Sequence, residues 1–262
     1  MEITLITGTK KRHKYFAELL TTACNKLNII EETPTLIKRI KYKSNYSKNI
    51  YKYFSNLNSL EEELFKKKKK HKIIHKPKIY PVSTEQLNNN KLKFLDDLRN
   101  TDLFILYGCS FIKKKLSTFL QKKNTVCIHM GVSPFYKGTD CNFWALYDNN
   151  PHLVGATILK FSKKFEEGDV IYHAIPCESK NPQKYSILVS MAAFVSLIKK
   201  IKNKSLFKIK PEKQDKKKII RNSTKKQFTE KVVKKYFSSN IVTNTKKIGL
   251  TMLKSPFFCF KI

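Results

Sequence analysis

Short apolar runs along the chain alternate with longer stretches in which apolar residues recur at helical spacing. The first run ends at Gly8, and a helical pattern follows it directly. The predicted strands are Glu2–Gly8, a segment within Ile29–Ile40, Asp102–Gly108, Thr125–Met130, Val154–Phe161 and Val170–Ile175. The predicted helices are Lys11–Leu27, Tyr46–Lys70, one from Ser83 or Thr84 to Leu98, Ser110–Leu120, Cys141–Tyr147, Pro182–Ile201 and a short helix capped near Thr229.

This alternation of strands and helices predicts an α/β fold with a Rossmann-like, doubly wound and mostly parallel sheet. The turn after the first strand lacks Gly-x-Gly-x-x-Gly, which disfavours a dinucleotide-binding enzyme. Beyond Lys202 the chain becomes basic and loses much of its hydrophobic periodicity. We therefore predict an α/β domain over residues 1–202 and a basic, partly helical C-terminal extension over residues 203–262.

Lysine and arginine outnumber acidic residues 53 to 20 among 262 residues, which gives a formal net charge of +33. Such an excess fits binding to nucleic acid, since lysine and arginine release counterions from phosphates. Only Arg12, Arg39, Arg99 and Arg221 carry the guanidinium that binds phosphates and bases through two hydrogen bonds. The scarcity of arginine therefore favours a compositional bias as the origin of the lysine excess, and the sequence leaves an anionic partner open as the alternative.

Six cysteines are scattered without a Cys-x-x-Cys pair, and the first residues lack a basic segment followed by an apolar one. These features predict a reduced, cytoplasmic protein. A bilayer span needs about 20 apolar residues, and no stretch of that length is found, so no membrane partner is expected.

Candidate chemistry is concentrated in residues 127–138, which read Cys-Ile-His-Met-Gly-Val-Ser-Pro-Phe-Tyr-Lys-Gly. Side chains alternate along a strand, so Cys127 and His129 should share one face at the carboxyl end of their strand, where α/β sheets bind ligands. A second segment, residues 165–169, reads Phe-Glu-Glu-Gly-Asp.

Together the two segments resemble the signature of the folate-dependent formyltransferases. In that family a strand-end Asn-x-His precedes a Pro-x-Tyr-Arg-Gly loop, and a later Leu-Asp-x-Gly-Asp supplies a carboxylate. The resemblance is specific over about residues 103–175 and is strongest to methionyl-tRNA formyltransferase-like and sugar N-formyltransferase-like members. It implies transfer of a formyl group from 10-formyltetrahydrofolate to an amine, carried by a methionyl-tRNA-like or amino-sugar nucleotide acceptor, without a metal.

The resemblance also implies the catalytic residues. His129 would be the hydrogen-bond donor and acid-base group, Glu166 stands where the family has Asp, and Cys127 stands where it has Asn. A thiol is a weaker donor than a carboxamide. Glutamate keeps the charge of aspartate but adds a methylene group to a site in which small displacements matter.

The remaining site residues follow from the same motifs. The resemblance implies folate binding by a bend after the strand that ends near residue 107 and by a loop near residue 167, and substrate binding by the Pro-x-Tyr-Arg-Gly-like loop. The predicted folate-binding residues are Tyr107, Gly108, Phe111, Ile112, Glu167 and Gly168, and the predicted substrate-binding residues are Tyr136, Lys137 and Gly138.

Other functions remain open at this stage. Cys127 fits a catalytically inactive relative that binds folate or RNA. Cys127 and His129 could also form a nucleophilic pair, although no third residue that orients the imidazole can be named. A zinc site needs at least three protein ligands, and the sequence offers no second cluster to complete one.

Overall fold

The computed structural model describes residues 1–33, 47–66, 73–89, 92–243, 253 and 256–258. Its strands are β1 Glu2–Thr7, β2 Lys26–Thr33, β3 Lys78–Ser83, β4 Leu103–Tyr107, β5 Thr125–His129, β6 Tyr136–Gly138, β7 Ala156–Lys160, β8 Val170–Ile175, β9 Arg221–Ser223 and β10 Pro256–Phe258. Its α-helices are α1 Lys11–Leu20, α2 Lys48–Lys66, α3 Thr84–Leu87, α4 Lys114–Gln121, α5 Cys141–Tyr147, α6 Pro182–Lys202 and α7 Glu230–Ser238.

Eight of these strands form one sheet in the order β10-β8-β7-β5-β4-β1-β2-β3. The half from β3 to β5 is parallel throughout. β7 runs antiparallel to both β5 and β8. The predicted mostly parallel α/β sheet is confirmed, and β5, which carries the candidate catalytic histidine, lies inside it.

The central strand β4 shows why this sheet needs helices on both faces. Leu103, Ile105 and Tyr107 pack into one hydrophobic cluster, whereas Phe104 and Leu106 pack into a second one. Alternate side chains point to opposite faces of a strand, so a continuous apolar run must be covered on both sides. Helices α1, α2, α5 and α6 contribute to the first cluster, and α3 and α4 contribute to the second.

The predicted helix Lys11–Leu27 was too long. Helix α1 ends at Leu20, and the hydroxyl groups of Thr21 and Thr22 donate to backbone carbonyl groups of α1. Such local bonds give the backbone an alternative to further helix. Strand β2 begins at Lys26, so the predicted second strand lies earlier than expected, and residues 34–40 of that prediction fall outside the described residues.

The helix predicted to run to Leu98 was also wrong in length, although its start is confirmed. Ser83 and Gln86 form a capping box, but α3 ends after one turn. Asn88 then bonds to the backbone of Phe111 and Lys113 on the opposite loop. These bonds hold residues 111–113 outside helix α4, which therefore begins later than predicted.

Strand β3 was missed because Pro81 lies within it. Proline cannot donate to a strand ladder and is accommodated at the edge of a sheet. β3 is the last strand in the sheet order, which explains why proline is accepted there.

Residues after 202 pack on the α/β core. Leu206, Val233, Tyr236 and Leu253 are buried in the first hydrophobic cluster. Strand β9 pairs in parallel with β6, so the extension contacts the loop that follows the candidate histidine. The division of the chain at residue 202 stays a prediction.

Arg221 anchors β9 to the core. Its guanidinium donates two hydrogen bonds to Asp148, from Nε at 2.8 Å and from Nη2 at 2.6 Å. It also lies over the ring of Trp144, 4.4 Å from the ring centroid. Planar, bidentate and stacked contacts of this kind require arginine and are not reproduced by lysine.

None of the helices in the described ranges is long and apolar enough to cross a bilayer.

We expect Arg221→Ala to lower the free energy of unfolding by about 1–3 kcal/mol, because it leaves the half-buried Asp148 without its charge-assisted bonds. The matched control is Arg99→Ala, which breaks an ion pair with Asp96 in which both side chains are more than 70 % exposed. Exposed pairs contribute at most about 1 kcal/mol. Urea unfolding of both variants measures the difference, and equal losses would contradict the role assigned to Arg221.

Candidate active site

His129 is the last residue of β5, and the chain turns back immediately beyond it. A Cβ atom at Gly131 would lie 2.6 Å from both His129 Nε2 and Cys141 Cβ. Only glycine therefore allows the loop to pass so close to the imidazole ring. The chain then returns through Pro134 to β6, so β6 lies beside the ring.

Glu166 contacts this imidazole from the loop between β7 and β8. Its Oε1 atom lies 3.0 Å from His129 Nδ1, and the two side chains are 12 % and 7 % exposed, respectively. On the other side of the ring, Nε2 lies 3.1 Å from the carbonyl oxygen of Tyr136. Both ring nitrogens thus face acceptors, and only the doubly protonated imidazolium donates to both.

The second carboxylate oxygen of Glu166 is also bonded. Gly138 donates its backbone N–H to Oε2 at 2.8 Å. Gly138 has a φ angle of 90°, and a Cβ atom there would overlap the backbone carbonyl oxygen of Ser223 on β9. The position therefore requires glycine, both for its backbone conformation and for the approach of β9.

The charge state of His129 follows from these contacts. Burial on its own lowers the pKa of His129, but Cys141 and Glu166 favour the charged ring, and the pKa lies well above its ordinary value of 6.5. Burial raises the pKa of the Cys141 thiol, so its sulfur is protonated near neutral pH. The negative charge that holds the imidazolium is therefore that of Glu166.

Gln214, from the extension, fixes the Glu166 loop. Its Nε2 group donates to the carbonyl oxygens of Glu166 at 2.9 Å and Gly168 at 2.7 Å. Glu166 itself has a φ angle of 54°, in the left-handed region that non-glycine residues rarely adopt. Such a conformation persists where neighbouring contacts impose it, and these two bonds do so.

Beside the pair lies a cavity of about 230 Å³ between the bend after β4 and the loop after β7. Cys127 and His129 are both among its lining residues. Phe111 and Phe165 both line it and contact each other edge to face, with ring centroids 5.4 Å apart. The cavity therefore has aromatic and aliphatic side chains in its walls and borders the buried, positively charged ring of His129.

Four of the six predicted folate-binding residues line this cavity and are Gly108, Phe111, Ile112 and Gly168.

Tyr107 also lines the cavity, but its ring packs against Phe194 and its hydroxyl group bonds to Ser190 in the core. The carboxylate of Glu167 is directed instead at Lys216, with both oxygens 3.1 Å from Nζ.

The three predicted substrate-binding residues form β6, on the Nε2 side of His129. Gly138 binds Glu166 through its backbone, as described above. Tyr136 is buried, and its hydroxyl group donates to Asp148 at 3.3 Å. Lys137 is also buried, and its carbonyl oxygen accepts from the Ser223 hydroxyl at 3.1 Å. The structure brings these residues next to the histidine and shows their contacts within the protein.

Two site residues were not predicted from the sequence. Cys141, the first residue of α5, has its Sγ atom 3.8 Å from His129 Nε2, so the cysteine at that nitrogen is Cys141 and not Cys127. Gln214 lies in a segment without a motif. The signal for Cys141 was its position just after the glycine-rich loop, whereas Gln214 gave no signal at all.

Cys127 lies in an apolar part of the cavity. Burial raises the pKa of its thiol, and the nearby Cys109 acts in the same direction. A protonated, apolar-packed thiol is a poor nucleophile, which argues against a Cys127–His129 nucleophilic pair. In the ranges that the structure describes, no three His, Cys, Asp or Glu side chains are grouped to hold a metal ion.

Comparison with solved structures finds formyltransferases with this fold. A 4-N formyltransferase from Francisella tularensis is 14 % identical, with a TM-score of 0.53 over 87 % of this chain and 77 % of its own. Phosphoribosylglycinamide formyltransferase from Anaplasma phagocytophilum is 17 % identical, with a TM-score of 0.53 over 80 % and 89 %.

The formyltransferase PseJ from Anoxybacillus kamchatkensis, solved with UDP-4,6-dideoxy-4-formamido-L-AltNAc and tetrahydrofolate, is 16 % identical, with a TM-score of 0.50 over 90 % and 97 %. No protein-family model and no curated protein sequence matches the chain. At these identities the comparisons establish the fold, and the predicted likeness to formyltransferases is confirmed at that level.

We expect Glu166→Gln to lower the pKa of His129, because the carboxylate is the charge that stabilises the imidazolium. NMR titration of the His129 ring measures this change. The matched control is Glu167→Gln, which removes the neighbouring carboxylate that is directed at Lys216. Equal changes in the two variants would contradict the assigned ion pair.

The same variant should change the pH dependence of stability. The pKa of His129 is higher in the folded than in the unfolded chain, so the ion pair contributes fully below about pH 6.5. Its contribution is lost as pH rises through the folded-state pKa. Glu166→Gln should therefore show a smaller decrease in unfolding free energy above pH 6.5 than the unaltered protein.

Proposed function

We propose that the protein transfers a formyl group from 10-formyltetrahydrofolate to an amine. The observation that carries this proposal is the buried imidazolium–carboxylate pair of His129 and Glu166 at the wall of a cleft. A preformed positive charge in a site shielded from water stabilises the negative charge that develops on oxygen during acyl transfer. The position of the pair at the carboxyl end of a central strand is the usual place for ligands in such sheets.

The folate donor would occupy the cavity between the two loops. Phe111 and Phe165 at its walls offer aromatic surface for the rings of the donor, and the bend at Gly108 and Cys109 presents backbone groups for hydrogen bonding. The likeness in fold to a formyltransferase solved with tetrahydrofolate supports this assignment.

The amine would attack the formyl carbon and place negative charge on the formyl oxygen. His129 would stabilise this oxyanion through its charge. Its Nε2–H would give up the hydrogen bond to the Tyr136 carbonyl oxygen and donate to the formyl oxygen instead. The imidazolium would then protonate N10 of the folate as the C–N10 bond breaks and recover a proton from the attacking amine. Glu166 would hold the ring and its charge throughout, as a positioning residue.

We assign an amino-sugar nucleotide as the acceptor. Support comes from the formyltransferase of the same fold that was solved with a UDP-linked formamido sugar. The acceptor would approach from the side of β6, where the Tyr136 carbonyl oxygen lies at the ring nitrogen that Glu166 does not contact. Methionyl-tRNA is the other acceptor that the sequence resemblance implies, and it is tested in the same turnover assay.

Release of tetrahydrofolate from 10-formyltetrahydrofolate, with UDP- and dTDP-linked amino sugars or methionyl-tRNA as acceptor, tests the proposal. We expect turnover with an amino sugar and a loss of at least about 10²-fold in kcat for His129→Ala. The control Glu178→Gln removes an exposed carboxylate and should leave the rate unchanged. Absence of turnover with every acceptor, alongside measurable binding of the folate, would instead support the inactive, folate-binding alternative.

Cys127 sets the expected rate. A carboxamide at this position could donate to the formyl oxygen, whereas a thiol is a weak donor, and one lost oxyanion donor typically costs about 10²- to 10³-fold. We therefore expect Cys127→Asn to raise kcat, measured in single-turnover experiments. Cys177→Asn, at a partly buried cysteine beyond β8, is the matched control and should give no gain. Unchanged rates in Cys127→Asn would contradict the role of position 127 as an oxyanion donor.

A further inference from the structure

Residues 212–216 of the extension run alongside the loop that carries the carboxylate of the ion pair. At one end of this segment, Val170 and Glu212 exchange two backbone hydrogen bonds, of 2.7 Å and 2.8 Å. At the other end, Lys216 Nζ lies 3.1 Å from each carboxylate oxygen of Glu167. The segment is therefore fixed at both ends against the loop.

Gln214 lies between these two contacts and is bonded to the main chain of the loop. Its Nε2 group donates to the carbonyl oxygens of Glu166 at 2.9 Å and Gly168 at 2.7 Å. A glutamine amide has two N–H donors, so both are used on this loop. The side chain carries no charge and its two bonds are to main-chain atoms. An effect of Gln214 on His129 therefore has to pass through the position of Glu166.

The backbone of Glu166 is sensitive to the loss of these bonds. Its φ angle of 54° lies in the left-handed region, which is sterically unfavourable for a residue with a Cβ atom. In this conformation its Oε1 atom lies 3.0 Å from His129 Nδ1, and its Oε2 atom accepts the Gly138 N–H. A main chain that relaxed out of the left-handed region would direct the Cβ atom, and with it the carboxylate, away from the ring.

We propose that Gln214 is a positioning residue for the reaction, because it holds the main chain of Glu166 in the conformation that keeps the carboxylate at His129 Nδ1. The same two bonds preform one wall of the cavity, since Glu166 and Gly168 are both among its lining residues. The consequence for the rate rests on the proposed formyl transfer, whereas the consequence for the charge of His129 does not.

NMR titration of the His129 ring in Gln214→Met tests the proposal. Methionine keeps an unbranched side chain of similar length and removes both N–H donors. We expect the pKa of His129 to fall by at least about 0.5, because its carboxylate partner is no longer held in place. The matched control is Gln227→Met, which changes another glutamine of the extension, one that accepts the backbone N–H of Thr224 at 2.7 Å. An unchanged pKa in Gln214→Met, or the same fall in both variants, would overturn the proposal.

A double variant separates positioning from a general loss of structure. In the Glu166→Gln protein, Gln214→Met should cause no further fall in the pKa of His129, because the carboxylate through which Gln214 acts is already absent. Additive falls would show that Gln214 acts by another route and would refute the assignment. Gln214→Asn keeps the amide but shortens the side chain by one methylene group, and it should give a smaller fall in the same direction if Gln214→Met does not fold.

The rate provides the second measurement. A displaced Glu166 misplaces the imidazole, and small displacements in an active site are costly, so Gln214→Met should lower kcat at least about tenfold while KM for the acceptor changes little. A fall in pKa with unchanged kcat would contradict a role in the reaction. If the unaltered protein transfers no formyl group, the proposed function fails, and the NMR titration still decides whether Gln214 positions the ion pair.

Discussion

The contact between His129 and Glu166 is the interaction on which the rest of the site depends. Burying a charged pair costs desolvation energy, and the pair persists only if its remaining polar atoms are also bonded. In this site those atoms are bonded, because the Gly138 N–H donates to Glu166 Oε2 and the Tyr136 carbonyl oxygen accepts from His129 Nε2. Two segments 37 residues apart in sequence are thereby fixed against each other, and their geometry is set by backbone groups of β6.

The dependence on β6 explains why the C-terminal extension belongs to the site. β6 pairs with β9, which Arg221 anchors on Asp148, and Ser223 closes on Gly138. Gln214 holds the loop that carries Glu166. A segment that is only basic and weakly periodic in the sequence thus supports both sides of the ion pair, while the two formyltransferase-like motifs supply the charged groups themselves.

The motif residues could be predicted from the sequence, whereas the residues that support them could not. Strands β1, β4 and β5 were predictable because continuous apolar runs have few alternatives, and His129 and Glu166 were predictable from motif spacing. The ends of α1 and α3 were not, since threonine back-bonding and the tertiary bonds of Asn88 decide them. Nor were Cys141 at the imidazole and Gln214 at the loop, because both depend on contacts between distant segments that leave no periodic signal.

The departures from the formyltransferase pattern affect the proposed chemistry unequally. Glu166 preserves the charge, and its Oε1 atom lies 3.0 Å from His129 Nδ1. Cys127 does not preserve the strong hydrogen-bond donor that a carboxamide provides. Losing one donor typically removes about 10²- to 10³-fold from enzymatic accelerations that are typically at least 10⁶-fold. If formyl transfer is the function, as we propose, these two substitutions together predict a slow enzyme and not an inactive one.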